Sequence, residues 1–187
     1  RSNVILSGPT TDVGLALDHN VPIALAPDWT PSGGPNLLAE LRYARAISTT
    51  YLNRRLSDRR LVEMATSEAA TVVDRTQTGS LVEGRYADLV VVPDHGCDAW
   101  ATLIDTPTAD VRLVMVGGRP LYGDSALMEA LPPSAQARCE SVSFCGQAKR
   151  ICVALAATDN LLHQGLADIE RDLRTFTTPY PLVPLCP

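Results

Sequence analysis

The 187-residue chain carries 16 Lys and Arg against 21 Asp and Glu, a formal net charge of -5, with 45% apolar and 5% aromatic residues. That apolar share can bury enough surface to offset the entropy of ordering, which excludes wholesale disorder, and the length suits one or two globular domains. Scattered rather than massed basic residues exclude nucleic acid or an anionic membrane as a charge-recognised partner, and the longest apolar runs, 89–92 and 151–157, fall far short of the roughly 20 residues of a membrane span.

The sequence opens Arg1-Ser2-Asn3 with neither Met nor a basic-then-apolar leader, and it is read as a fragment. Cys97, Cys139, Cys145, Cys152 and Cys186 are odd in number and lack any Cys-x-x-Cys spacing. They predict neither a disulfide framework nor a structural zinc site, and they point to a reducing, cytoplasmic compartment.

From Thr10 to Asn20 the pattern predicts a short helix, with Thr10 or Thr11 as N-cap and Val13, Ala16 and Leu17 at helical spacing. Val21 to Ala26 is a continuous apolar run, predicted to be a buried parallel strand. The turn-rich segment 27–35 follows, and a stronger helix starts near Asn36, with Leu37, Leu38, Leu41 and Ala44 on one face and Glu40, Arg42 and Arg45 outside it. Alternation of helix, strand, loop and helix implies an α/β layer, and a helical connector occupies 57–75.

Beyond residue 77 short strands take over: Leu89 to Val92, Val111 to Val116 and Arg119 to Tyr122, the last two joined by a Gly117-Gly118 hairpin turn. A second hairpin is predicted around Gly146-Gln147, in a register that sets Cys145 against Ala148 and Cys152 against Ser141. A final helix from Asp159 places Leu162, Leu166, Ile169 and Leu173 on one stripe, and a proline-rich tail ends the chain. The resulting division is 1–76 and 77–187.

Asp28 is the first candidate for chemistry, because it follows an apolar run, and in parallel α/β folds function collects at the C-terminal strand ends. An aspartate beside proline in a Ser- and Gly-rich loop is equally a turn former. Trp29 and Thr30 are candidate pocket residues, and Trp29 has packing as its alternative. His19, His95 and His163 have no spacing that would let two ligate one metal from a single element, and all three read as surface residues. Ser32-Gly33-Gly34 before a helix is not a phosphate loop, since the Lys of that fingerprint is missing.

Two segments taken together resemble the C-terminal part of the metal-dependent amidohydrolase superfamily, the group with cytosine deaminase-like and imidazolonepropionase-like members. The first is Val21-Pro22-Ile23-Ala24-Leu25-Ala26-Pro27-Asp28-Trp29 with Pro31-Ser32-Gly33 and Asn36-Leu37-Leu38-Ala39-Glu40-Leu41; it resembles the eighth barrel strand, its metal-site aspartate and the helix after it. Ser2-Asn3 and Thr10-Thr11-Asp12-Val13 resemble the loop and helix after the seventh strand. The second is Met64-Ala65-Thr66, then the Gly-x-Leu-x-x-Gly-x-x-Ala-Asp-Leu pattern from Gly79 to Leu89, then Val114 to Arg119, similar to the small β-sandwich that completes such chains.

The resemblance implies α/β plus β: the last βα units of a (β/α)8 barrel, then a small β-sandwich module and a C-terminal helix. It implies a divalent metal, zinc or else iron, with Asp28 as the one metal-site residue present, acting both as ligand and as proton carrier for an activated water. The metal-binding histidines of the family are missing, and only about one complete α/β unit of an approximately 250-residue barrel is present, so the chain alone is expected to be inactive. Pro27 stands where the group commonly has a small or hydroxylated residue, and it restricts Ala26 to extended conformations. Ser80, Glu83 and Asp88 are expected to be structural, Asp88 by accepting turn amides.

The implied activity is hydrolysis of a carbon–nitrogen bond, by deamination or cyclic amide hydrolysis, in a small substrate. Its rival is a non-catalytic scaffold or interaction module that keeps the amidohydrolase tail. The remaining barrel portion would be supplied in cis or in trans, and an uncovered Val21 to Ala26 edge is expected to drive association, including homo-oligomers.

Overall fold

The structure is a computed structural model that describes residues 1–8, 11–29, 32–96, 98–132, 139–152 and 164–176. The chain divides into two units, Arg1–Tyr86 with Pro93–Pro107, and Ala87–Val92 with Thr108–Pro187.

In unit 1 the helices are α1 (Ser2–Ser7), α2 (Val13–Asp18), α3 (Leu37–Tyr51), α4 (Asp58–Ala65), α5 (Ser67–Val72) and α6 (Ala99–Asp105). Four of them start where a side chain takes up an otherwise orphaned amide. Asp12 accepts Leu15 N–H at 2.8 Å, Asn36 accepts Ala39 N–H at 3.0 Å, Ser57 accepts Arg60 N–H at 3.2 Å and Asp98 accepts Trp100 N–H at 2.7 Å. The N-cap of α2 is therefore Asp12 in place of the threonines before it, since its carboxylate reaches the first-turn amide.

The apolar stripes of α3, α4 and α6 meet in a core of Leu41, Leu56, Leu61, Val62, Met64 and Ile104, with Leu61 and Ile104 fully buried. α6 has no counterpart among the elements predicted from sequence. Arg42, predicted to face outward, instead donates to the carbonyls of Ile104 at 3.0 Å and Thr106 at 3.1 Å, taking up free acceptors at the end of α6.

The predicted buried strand at 21–26 forms no strand and joins no sheet among the described residues. Ile23 and Leu25 pack toward the helical core, whereas Val21, Ala24 and Ala26 are exposed. Among its hydrogen bonds, Val21 N–H donates to Ala16 O at 2.9 Å, Leu25 N–H to Met64 O at 2.8 Å and Ile23 N–H to Glu68 Oε1 at 3.0 Å. A parallel strand is defined by its neighbours, and here the apolar run lacks them among the described residues.

Unit 2 holds β1 (Leu89–Val91), β2 (Leu113–Val116), β3 (Arg119–Asp124), α7 (Ser125–Glu129), β4 (Glu140–Phe144), β5 (Gln147–Ile151) and α8 (Leu166–Phe176). The strands form one antiparallel sheet in the order β1-β2-β3-β5-β4. Gly117 and Gly118, at φ 57° and 76°, make the predicted β2–β3 turn, and Asp88 accepts Gly117 N–H at 2.7 Å, as expected of a turn-holding carboxylate. Of the predicted final helix, Leu166, Ile169 and Leu173 fall in α8, while Asp159, Leu162 and His163 lie outside the described residues.

The β4–β5 turn is Cys145-Gly146 instead of Gly146-Gln147. Both turn residues have positive φ, 51° and 78°, as a type I′ hairpin requires. This one-residue change makes Phe144 face Gln147 and Glu140 face Ile151. Extended one step, the register sets Cys139 against Cys152, and these two form a disulfide with Cα atoms 4.0 Å apart. The expectation of no disulfide is thereby corrected; it rested on the wrong turn residues, since bridging needs closely opposed Cβ atoms.

The centre of unit 2 is unusual for its charge. Lys149 on β5 is fully buried; its Nζ donates to Val111 O at 2.9 Å and Asp124 Oδ1 at 2.5 Å, and lies 5.7 Å from the Tyr122 ring centroid. Arg112 Nε donates to the other Asp124 oxygen at 3.0 Å. Burial alone pushes the Asp124 carboxyl upward, but bonds and charge from Lys149 and Arg112 outweigh it and hold the group below the usual aspartate range.

A folded-state pKa below the unfolded one stabilises above the unfolded value of about 3.9 and is lost as pH falls through the folded value. Unit 2 should therefore show an acid limb in its urea midpoint below about pH 4, and Asp124→Asn should shrink that limb. An unchanged limb in the variant would exclude Asp124 as its source.

Candidate active site around Asp28

Asp28 follows the extended segment directly and is exposed. Pro27 before it keeps Ala26 out of the helical region, so the chain reaches Asp28 still extended. Beside this segment, unit 1 has a largely apolar cavity of about 430 Å³. One wall is 21–26 with Asp28 at its end; facing it are Val13 and Ala16 of α2 and Glu40, Tyr43, Ala44 and Ile47 of α3, with Leu61 and Met64 of α4 beneath.

The loop after Asp28 is tied to its own backbone. Trp29 O accepts Ser32 N–H at 3.1 Å and Gly33 N–H at 2.6 Å, and Gly34 N–H donates to Glu40 Oε1. Amides so committed, with a carboxylate already beside them, leave no anion site at Ser32-Gly33-Gly34, as the sequence indicated. Trp29 is 57% exposed and is not among the described cavity walls, while Thr30 lies outside the described residues.

Among the described residues no histidine joins Asp28 in a cluster of metal-binding side chains. His19 follows α2 as its C-cap and is exposed, His95 is exposed in the loop after β1, and His163 lies outside the described residues. Among the described residues no three His, Cys, Asp or Glu side chains come together as a metal centre needs. Among the described residues Asp28 and Glu40 are the carboxylates on this cavity, and they do not by themselves fit a complete metal site.

The arrangement contains one residue that the sequence pattern misplaced. The helical period places Glu40 off the apolar face of α3, yet it is 4% exposed and lines the cavity. A signal was available: Glu40 sits four residues after the N-cap Asn36 and follows a Gly33-Gly34 pair, which allows the loop backbone to come close to a first-turn carboxylate.

An apolar segment that leads to an aspartate thus lies beside helices at an open cavity. An amidohydrolase family model matches residues 3–122. The chain is 28% identical over 94 residues to the imidazolonepropionase of Caldanaerobacter subterraneus subsp. tengcongensis, a match covering 50% of this chain and 22% of that protein.

Among solved structures, a triazine hydrolase from Arthobacter aurescens matches with a TM-score of 0.52 and 27% identity, over 64% of this chain and 29% of that one. A triazine hydrolase variant gives the same TM-score at 28% identity and the same coverage. The chain belongs to the amidohydrolase family. It spans about a quarter of the length of these relatives.

Proposed function

We propose that this chain is the C-terminal part of a metal-dependent amidohydrolase that hydrolyses a carbon–nitrogen bond of a small substrate, by deamination or cyclic amide hydrolysis. In this reading unit 1 is the last strand and helices of a (β/α)8 barrel, and unit 2 the small β module that completes such chains. The observation that carries it is Asp28 after an apolar segment that joins no sheet among the described residues, beside an open apolar cavity. The imidazolonepropionase and triazine hydrolase relatives support carbon–nitrogen hydrolysis as the reaction class.

Asp28 would be a ligand to a divalent metal, zinc or alternatively iron, which when bound would lower the pKa of a water and polarise the substrate. The remaining ligands come from the missing barrel portion, joined in cis or in trans, so the chain alone is inactive. The small-molecule substrate, the cytoplasmic location and homo-oligomerisation belong to the same reading.

Elemental analysis of the purified chain and of the product of the upstream-extended reading frame tests it. Stoichiometric metal is expected only in the longer product. Asp28→Ala there should weaken metal retention by more than the roughly 10- to 100-fold that loss of an outer-sphere partner costs. Metal-free longer product, or full retention in the variant, would leave the scaffold reading in front.

A further inference from the structure

Glu40 is the one buried carboxylate residue among the described residues. A buried carboxylate is costly unless donors surround it. Its Oε1 accepts Gly34 N–H, and its Oε2 lies 3.4 Å from the main-chain nitrogen of Arg1.

Gly34 is buried too, and a Cβ there would stand 2.7 Å from Glu40 Oε1 and 2.9 Å from Ala39 Cβ, so this approach of loop to helix excludes any side chain. At its other end the loop is fastened on Trp29 O, one residue after Asp28. The described part of the link from Asp28 to α3 is thus held at both ends, by a carbonyl at the start and by the Glu40 carboxylate at the finish.

We propose that Glu40 is the positioning residue of Asp28: it clamps the loop backbone at Gly34, and the loop in turn fixes Trp29 and the Asp28 main chain beside the cavity. The importance for chemistry rests on reading Asp28 as a metal ligand, whereas the clamp is a property of this chain alone. A residue that merely filled space at this point would be apolar like its cavity neighbours Ala44 and Ile47. Glu40 instead directs an acceptor at the loop.

The test uses the 187-residue chain carrying Trp100→Phe, which leaves Trp29 as its single indole, since the chain has two tryptophans. Trp29 anisotropy decay and Gly34 amide exchange are compared in Glu40→Ala and Glu40→Gln, with the fully buried Leu61 as the reporter of global opening. Glu40→Ala should speed Gly34 exchange by about tenfold or more and add fast motion at Trp29, with a smaller change at Leu61.

Glu40→Gln, which keeps an acceptor oxygen, should restore most of both signals. Gly34→Ala breaks the same contact from the loop side and should reproduce the Trp29 signature even if Glu40→Ala folds poorly. The proposal is overturned if Glu40→Ala leaves Trp29 and Gly34 unchanged. It is equally overturned if Leu61 and Gly34 accelerate together with no rescue by Gln. Loop release in these variants, alongside metal retention by Asp28→Ala in the longer product, would sink the ligand reading and leave the clamp standing.

Discussion

Leu61→Ala should cost unit 1 about 3–5 kcal/mol, the upper part of the range for large-to-small changes in a core. Leu61 is fully exposure-free and sits in the cluster with Leu41, Leu56, Val62, Met64 and Ile104, contributed by α3, α4, α6 and the turn before α4. α4 keeps its Ser57 cap in the variant, so the loss is one of packing and not of helix formation. The cavity already touches Leu61, and truncation enlarges it where α3 and α6 are anchored by Arg42 and cannot close in.

Because domains have only about 5–15 kcal/mol in total, the variant approaches unfolding. Both tryptophans belong to unit 1, so their fluorescence in urea reads this unit. Leu15→Ala on α2, 55% exposed, is the control and should change stability by less than about 0.5 kcal/mol. Equal losses in the two variants would refute the core assignment.

Lys149→Ala should destabilise unit 2 by about 3 kcal/mol, at the low end for breaking a buried pair, because Arg112 still pairs with Asp124. The truncation removes the donor to Val111 O and the cation beside Tyr122, and it opens a void along the lysine stem. Lys149→Met fills that stem without the charge and should cost clearly less, since apolar isosteres often replace buried ions at little loss. Near-ultraviolet dichroism of Tyr122, edge-on to Phe144 with centroids 6.4 Å apart, follows the transition. If Met and Ala are equally damaging, the charge network outweighs packing in this core.

What the sequence disclosed and what it hid divide along physical lines. Gly117-Gly118 was legible because only residues at ease with positive φ fit that turn, and the apolar faces of α3 and α4 follow the helical period. The turn at Cys145-Gly146 was not, because cysteine at positive φ is disfavoured by local sterics and is imposed by strand register, which in turn concealed the Cys139–Cys152 pairing.

Asp28 could be located through its apolar run and family resemblance, and its place on the cavity wall emerged only from the fold. Glu40 and Lys149 were hidden for a common reason: charged residues are read as solvated, and burial with partners is settled by tertiary contacts that periodicity does not encode. α6 was missed because its seven residues are too few to show a period, and its capping aspartate resembles any loop aspartate.

The polypeptide passes between the two units at 86/87, 92/93 and 107/108, so the stretch 93–107, including α6, is a closed excursion from the sheet. Its ends are joined where β1 meets β2, with Val91 opposite Leu113 and Arg112 N–H on Val91 O at 2.8 Å. When the sheet melts, α6 changes from a short loop with fixed ends into part of a free tail, and unit 1 must then supply the entropy of holding Ile104 in place. A cut after residue 86 would therefore separate the helices before it from α6 and its fully buried Ile104 in the chain.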